Sequence, residues 1–116
     1  MNAKDKSNDQ TAFHLACFWV STSEERFKIA ELLILKSTEF NIELNNKDKF
    51  GRTAFHLACI NGKTATVEMM MNNANNYKLD LLAEDNEYKN GFQLAIEFQK
   101  TDVVNLLKRK IPSIAF

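Results

Sequence analysis

The sequence has few of the residues that build special loops or cross-links. With three glycines in 116 residues, it has no glycine-rich loop of the kind that cradles phosphates. Two cysteines, with no apolar leader in residues 1–10, predict free thiols in a reducing compartment. We therefore expect the chain in the cytoplasm, with the nucleus as the alternative, and we do not expect it to be secreted.

An excess of charge of one sign and a long apolar run are also missing. The 15 basic and 15 acidic side chains cancel, whereas a dedicated nucleic-acid or membrane binder usually carries a basic excess. No stretch approaches the roughly 18 apolar residues of a membrane span. A hydrophobic content of 45% is close to the globular average and argues against disorder. The composition indicates one folded domain that binds neither nucleic acid nor membrane.

What the chain does have is a seven-residue motif that occurs twice. Thr-Ala-Phe-His-Leu-Ala-Cys stands at 11–17 and at 53–59, an offset of 53 − 11 = 42. A degraded copy, Asn-Gly-Phe-Gln-Leu-Ala-Ile, follows at 90–96, an offset of 90 − 53 = 37. Self-similarity at such a period predicts a repeat architecture. We divide the chain into a polar lead-in, a single repeat domain and three units: residues 1–10, residues 11–116, and about 11–47, 48–84 and 85–116.

Each unit is predicted to contain two helices. Thr11 and Thr53 open the two motif copies and suit the N-caps of short first helices. The second helices are predicted to start at a Thr22–Glu25 capping box, at Thr64 as an N-cap, and at Asp102, whose charge suits the helix dipole.

The remaining stretches carry further predictions. Apolar residues at helical spacing in the first of the second helices, among them Ile29 and Leu32, are expected to face the core. Alternating apolar residues in 40–44 predict a short extended stretch with one buried side. Residues 72–78 have the composition of a polar loop. Pro112 stops the last helix, and the apolar residues around it are expected to fold back as a cap.

The plan of turn, helix, turn and helix, with Asp-x-x-Gly-x-Thr leading into the first helix, resembles the ankyrin repeat. The signature positions matched in the second unit are Asp48, Gly51, Thr53, His56, Leu57, Ala58 and Gly62. The third unit departs from the signature at Tyr88, Asn90 and Gln93, where the family has Gly, Thr and His. The resemblance implies an all-α ankyrin-repeat solenoid of stacked helix-turn-helix units with finger-like turns, whose deviating last unit acts as a cap.

The histidines and cysteines of the two motif copies invite comparison with a zinc site. The four side chains are His14, Cys17, His56 and Cys59. Equivalent residues of adjacent ankyrin repeats lie on the order of 10 Å apart, which is too far for one tetrahedral site, so we expect no metal and no cofactor. The resemblance instead gives the histidine a structural role, bonded to the Thr hydroxyl and to neighbouring backbone. The structural-motif residues are Thr11, His14, Thr53, His56, Gly51 and Gly62.

No catalytic set is visible, because no Ser, His and acid grouping occurs outside the motif. We therefore expect no enzyme. The resemblance implies a non-catalytic protein–protein interaction module, whose protein partner binds the concave face made by the turn tips and by outward positions late in the first helices. The candidate partner-binding residues are Phe18, Trp19, Lys49, Phe50, Arg52, Ile60, Asn61, Asn86, Glu87, Lys89 and Phe98.

Two alternatives are open on the sequence alone. The first is a structural fragment, or a self-associating piece of a longer ankyrin array, because the first unit lacks a convincing polar outer cap. The second is a small inhibitor or decoy, similar to the viral ankyrin proteins that resemble NF-kappa-B inhibitors. The size of the chain fits the second alternative, but no residue selects it.

Overall fold

The computed structural model describes residues 3–4, 9–18 and 24–110, without the side chains of Phe18 and of residues 24–27. Thr22 of the predicted capping box and the predicted cap around Pro112 lie outside these residues. The helices are α1 (Ala12–Phe18), α2 (Glu24–Leu35), α3 (Ala54–Ile60), α4 (Thr64–Tyr77), α5 (Gly91–Glu97) and α6 (Thr101–Lys110). No strand occurs in the described part, so the predicted all-α class is confirmed.

The six helices of the described residues form two parallel rows. In each unit the first helix packs against the second, giving the pairs α1–α2, α3–α4 and α5–α6. The short helices α1, α3 and α5 pack against one another in chain order, and α2, α4 and α6 do the same. This is the predicted solenoid, in which each unit contacts its neighbours in the stack.

The core of the short-helix row is built on one phenylalanine from each motif copy. Phe13, Phe55 and Phe92 are each 2% exposed. The rings of Phe55 and Phe92 meet edge to face, with centroids 5.9 Å apart. A Cβ atom on Gly91 would lie 2.9 Å from the Phe55 ring and 3.1 Å from Cys59 Sγ. Glycine therefore lets α5 approach α3 closely.

The prediction of a polar loop at residues 72–78 is wrong, because α4 continues through Tyr77. Ala74 and Tyr77 pack against the core on one side of the extra turns, and that packing outweighs the poor helix propensity of the asparagines. The helix ends at Lys78, which adopts a left-handed conformation (φ 57°) and donates its N–H to Ala74 O. The predicted cap at Thr64 is also wrong, since Lys63 is the N-cap and supplies no side-chain bond.

The predicted burial of the α2 face is wrong at two positions. Ile29 is 50% exposed and Leu32 is 55% exposed, because α2 belongs to the first unit of the described stack and has a helix of that row, α4, against only one of its sides. The predicted extended stretch is wrong at Phe40, which lies in a turn and is 60% exposed. Ile42 and Leu44 are buried as predicted.

Candidate partner-binding face

The turn that precedes α3, residues 48–52, is called finger two here. Asp48 holds it closed, because Oδ1 of this carboxylate accepts hydrogen bonds from the N–H groups of Phe50 (2.8 Å) and Arg52 (3.0 Å). The N–H of Asp48 donates to Arg52 O at 2.9 Å. Gly51 has φ 76°, a left-handed conformation that glycine adopts without steric cost. The finger is thus a hydrogen-bonded turn with a fixed backbone.

The turn that precedes α5, residues 85–89, is called finger three and repeats this geometry. Oδ1 of Asp85 accepts from the N–H groups of Glu87 (2.9 Å) and Lys89 (3.0 Å). Tyr88 takes the left-handed position, with φ 63°. Burial alone raises the pKa of Asp85, but these backbone hydrogen bonds and nearby positive charge outweigh burial and lower the pKa below its usual value. The turn therefore stabilises an ionised carboxylate.

The motif histidine of unit two ties α3 to finger three. The N–H of Thr53 donates to His56 Nδ1 at 3.0 Å, and the N–H of His56 donates to the Thr53 hydroxyl at 3.4 Å. Because Nδ1 accepts, the proton of the neutral ring belongs on Nε2, which lies 2.9 Å from Lys89 O. One buried imidazole thus caps its own helix and fixes the next finger.

The motif histidine of unit one does the same for finger two. Thr11 donates its N–H to His14 Nδ1 at 3.1 Å, and His14 Nε2 lies 2.9 Å from Arg52 O. Burial lowers the pKa of both His14 and His56, against smaller contributions from the backbone acceptor and a nearby aspartate. The neutral ring that this network requires is therefore also the favoured one.

Unit three closes the series with an amide pair in place of threonine and histidine. Asn90 donates its N–H to Gln93 Oε1 at 2.8 Å, and the N–H of Gln93 donates to Asn90 Oδ1 at 3.0 Å. Gln93 is exposed, unlike the buried histidines. The cap of α5 is therefore complete within its own unit.

The two fingers are hydrogen-bonded side by side. Asn86 donates its N–H to Phe50 O at 3.0 Å and its side-chain amide to Lys49 O at 3.1 Å. The approach is so close that a Cβ on Gly51 would lie 2.7 Å from the backbone nitrogen of Asn86. Fingers two and three therefore form one continuous edge rather than two separate loops.

An exposed aromatic ring flanked by cations marks finger two. Phe50 is 50% exposed. Lys49 Nζ lies 5.2 Å from its ring centroid, and Arg52 Cζ lies 5.7 Å from it. Arg52 Nε also lies 3.6 Å from the buried Asp85 Oδ2, although this nitrogen makes no hydrogen bond. That ion pair restrains the arginine across both fingers.

The remaining described candidates lie where α3 and α5 end. Lys89 Nζ donates to Glu97 Oε2 at 2.6 Å, joining finger three to the last residue of α5, and the Glu97 hydrogen bond raises the pKa of Lys89. Phe98, directly after α5, is 45% exposed. Ile60 and Asn61 are half-buried, and Asn61 Nδ2 is buried without a hydrogen-bond partner.

Two of the predicted partner-binding residues lie outside the described parts of the chain, and the sequence analysis missed one exposed residue of the face. Trp19 and the side chain of Phe18 are not among the described parts of the chain, so their role is still a prediction. Tyr88, at the tip of finger three, is 79% exposed. The sequence showed it only as a departure from the family glycine, and that departure was the available signal: an aromatic at a turn tip has no core to enter.

The histidines and cysteines of the motif copies do not form a ligand set. Both ring nitrogens of each histidine are engaged in the contacts given above. Burial raises the pKa of Cys17 to about 12 and raises that of Cys59 further, so neither presents the thiolate that zinc binds. Among the described residues, no cluster of three or more His, Cys, Asp or Glu could hold a metal ion. No described helix is long and apolar enough to cross a bilayer.

Comparison with known proteins bears on the family and on the fold. A family model described as "Ankyrin repeats (3 copies)" matches residues 18–114. A chain of the crystal structure of the yeast ribosomal protein Rps3 in complex with its chaperone Yar1 superposes with a TM-score of 0.78. The alignment covers 97% of this chain and 74% of that chain at 20% sequence identity. No curated protein sequence matches.

Proposed function

Since the chain belongs to the ankyrin repeat family, we propose that it is a non-catalytic module that binds a protein partner on the face made by its fingers and the ends of α3 and α5. The observation that carries this proposal is the edge formed by fingers two and three. It holds exposed aromatic and charged side chains on a backbone that the buried histidines fix in place.

A pre-organised edge is well suited to binding. Association costs free energy when loops and side chains must be ordered, so a surface that is already fixed keeps more of its contact energy as affinity. Aromatic residues and arginine dominate interface hot spots. Phe50 and Arg52 on finger two, with Tyr88 on finger three, supply this chemistry.

The charge of the face indicates how a partner is oriented. Finger two carries Lys49 and Arg52, whereas finger three carries Glu87 and is preceded by Glu84. The lysine of finger three, Lys89, is paired with Glu97. A partner with an acidic segment opposite finger two and a basic segment opposite finger three is complementary. Binding should therefore weaken as the salt concentration rises.

The similar solved structure supports a protein as the class of partner, because its title describes a chaperone in complex with a ribosomal protein. At 20% identity the likeness carries the fold alone, so the identity of that partner is not transferred. We place the module in the cytoplasm, since both of its thiols are free and buried.

The test is affinity capture from lysate of the source cells, followed by titration of the purified partner. The variant is the double substitution Phe50→Ala with Phe98→Ala. The control is Phe40→Ala, which removes a more exposed ring (60%) from the turn after α2. We expect the wild type and the control to bind alike and the double variant to bind at least about tenfold more weakly, the usual loss at a hot spot. Equal binding by all three folded proteins would contradict the proposal.

A further inference from the structure

The first unit exposes apolar side chains on the side of the stack that faces away from unit two. Ile29 and Leu32 of α2 are half-exposed, Leu15 of α1 is partly exposed and Ala12 is exposed. We call these four residues the N-terminal end face. The described residues before it do not cover it, since Lys4 Nζ donates to Lys47 O and Gln10 contacts Asp48 on finger two.

The same positions in the later units are buried in the stack. Equivalent positions are 42 residues apart between α1 and α3. They are 37 residues apart between α3 and α5, between α2 and α4, and between α4 and α6. The buried equivalents are Ala54, Leu57, Thr66 and Met69 in unit two, and Gly91, Leu94, Val103 and Leu106 in unit three. Gly91 shows what covers them, because its missing Cβ would meet Phe55 and Cys59 of the unit before it. These positions receive the preceding helix pair.

The N-terminal end face therefore has the side chains of a repeat–repeat interface. Burying Ile29 and Leu32 would remove apolar surface from water as burial of Met69 and Leu106 does. What fits such a face is another helix pair with an apolar side, which this chain also supplies as a second copy.

The opposite end of the stack is less suited to pair with it. Ile96 is exposed and Val104 half-buried, at the positions of the buried Cys59 and Val67. Polar residues surround them, because Gln93 stands for His56, Glu97 for Ile60 and Lys108 for Met71. A head-to-tail stack would bury these polar groups against the aliphatic face at a cost in desolvation.

Pairing the N-terminal end face with itself avoids that cost. Its described rim carries both signs of charge, with Lys28 and Lys36 beside Glu31 and Glu39, so each copy offers the other opposite charges to pair with. We propose that the chain forms a dimer with two-fold symmetry through Ala12, Leu15, Ile29 and Leu32. A symmetric contact closes on itself, whereas a head-to-tail contact would extend into a filament. The dimer does not depend on the proposed function of the fingers and uses none of their residues.

Sedimentation equilibrium over about 1–200 μM, a range that covers ordinary dimer affinities, tests this proposal. Three proteins are compared: the wild type, Leu32→Glu and Ile96→Glu. The last is the matched control, because it places the same charge on an exposed aliphatic residue at the opposite end. Circular dichroism and urea unfolding establish that each variant is folded. We expect a wild-type dimer, unchanged association of Ile96→Glu, and a dissociation constant at least a hundredfold higher for Leu32→Glu, which places two charges in each symmetric interface.

A folded wild type that stays monomeric at the highest concentration overturns the proposal, and the face is then left for a different helical partner or for the residues outside the description. Oligomers larger than two, or association abolished by Ile96→Glu, overturn the two-fold arrangement in favour of head-to-tail stacking. Partner capture through the fingers is scored separately, because Leu32→Glu leaves the fingers unaltered.

Discussion

Units two and three close their fingers with the same residue type, but they build the same helix cap from different residue types. Asp48 and Asp85 close the two fingers with matching hydrogen bonds. The helix caps also match, but His56 is buried and reaches the next finger, whereas Gln93 is exposed and completes its own cap. An imidazole offers two nitrogens at opposite edges of a rigid ring, so it can cap a helix and hold a second segment.

The difference teaches which interactions belong to one unit and which belong to the stack. The Gln93 amide caps α5 and, unlike His56, makes no contact with the finger of another unit among the described residues. Where a finger follows, the histidine joins the fixed backbone of one unit to that of the next. The binding edge is therefore a property of consecutive units, and changes at His14 or His56 should alter it from a distance.

The largest effect is expected from truncating the histidine that spans two units. His56→Ala removes a buried ring, the cap of α3 and the bond to Lys89 O, for an expected loss of about 3 kcal/mol. Gln93→Ala removes an exposed cap and should cost about 1 kcal/mol or less. Urea unfolding followed by circular dichroism measures both. Equal losses would show that the contact between units contributes nothing.

The left-handed position of the two fingers gives the next comparison. Gly51→Ala should cost about 2 kcal/mol, because alanine is disfavoured at positive φ and its Cβ would press on the backbone of Asn86. Tyr88→Gly relieves the same backbone penalty but frees the unfolded chain, so stability should change by less than about 0.5 kcal/mol. The urea midpoints of the two variants measure this contrast. A smaller loss in Gly51→Ala than in Tyr88→Gly would contradict it.

The histidines predict a smaller, pH-dependent effect. Their folded-state pKa values are lowered from 6.5, so the unfolded chain binds more protons. The stability that they confer is complete above about pH 6.5 and falls as the pH drops below it. Urea midpoints at pH 7.5 and 5.5 should differ more for the wild type than for His56→Gln, which keeps an amide at the cap but cannot titrate. An identical pH dependence would count against neutral, buried imidazoles.

The smallest effect is expected at the ion pair between finger three and α5. Glu97→Gln removes the charge that faces Lys89, but both side chains are substantially exposed, and exposed pairs contribute little. We expect no measurable shift of the urea midpoint. A clear loss of stability, retained in 0.5 M salt, would show that this pair is a structural part of the finger.

Much of the fold could be predicted because the helix caps within each unit and the recurrence of the motif along the chain indicate the same repeat architecture. Thr11 and Thr53, which were predicted as N-caps, directly precede α1 and α3, and the degraded copy at 90–96 coincides with α5 to within one residue. The prediction failed where packing decides: α4 extends past the asparagines because Ala74 and Tyr77 reach the core. Whether an apolar face such as that of Ile29 is buried depends on a neighbouring unit, which periodicity within one helix does not reveal.

The candidate site could be predicted as a set of positions but not as a surface. Finger residues were identified from their places in the repeat, and the assignment of a binding role to them is still a prediction. The contact of Asn86 with Phe50 O and the reach of His56 to Lys89 O join residues more than 30 positions apart. Contacts between residues so far apart in the sequence follow from the way in which the units stack. Tyr88 was missed because the family has glycine at this position, so the position was interpreted by its backbone conformation and not as part of the binding surface.

Amide hydrogen exchange by NMR tests most directly whether the fingers form one edge held by the histidines. The reporters are the N–H groups of Arg52, Asn86 and Lys89, bonded to Asp48, Phe50 and Asp85 respectively. We predict that all three are protected in the wild type. In His56→Gln the Asn86 and Lys89 amides should exchange faster while Arg52, held beside His14, keeps its protection. The claim of one histidine-held edge would be contradicted if all three amides of the wild type exchanged at the rate of an open loop. It would also be contradicted if the exchange rates did not change in His56→Gln.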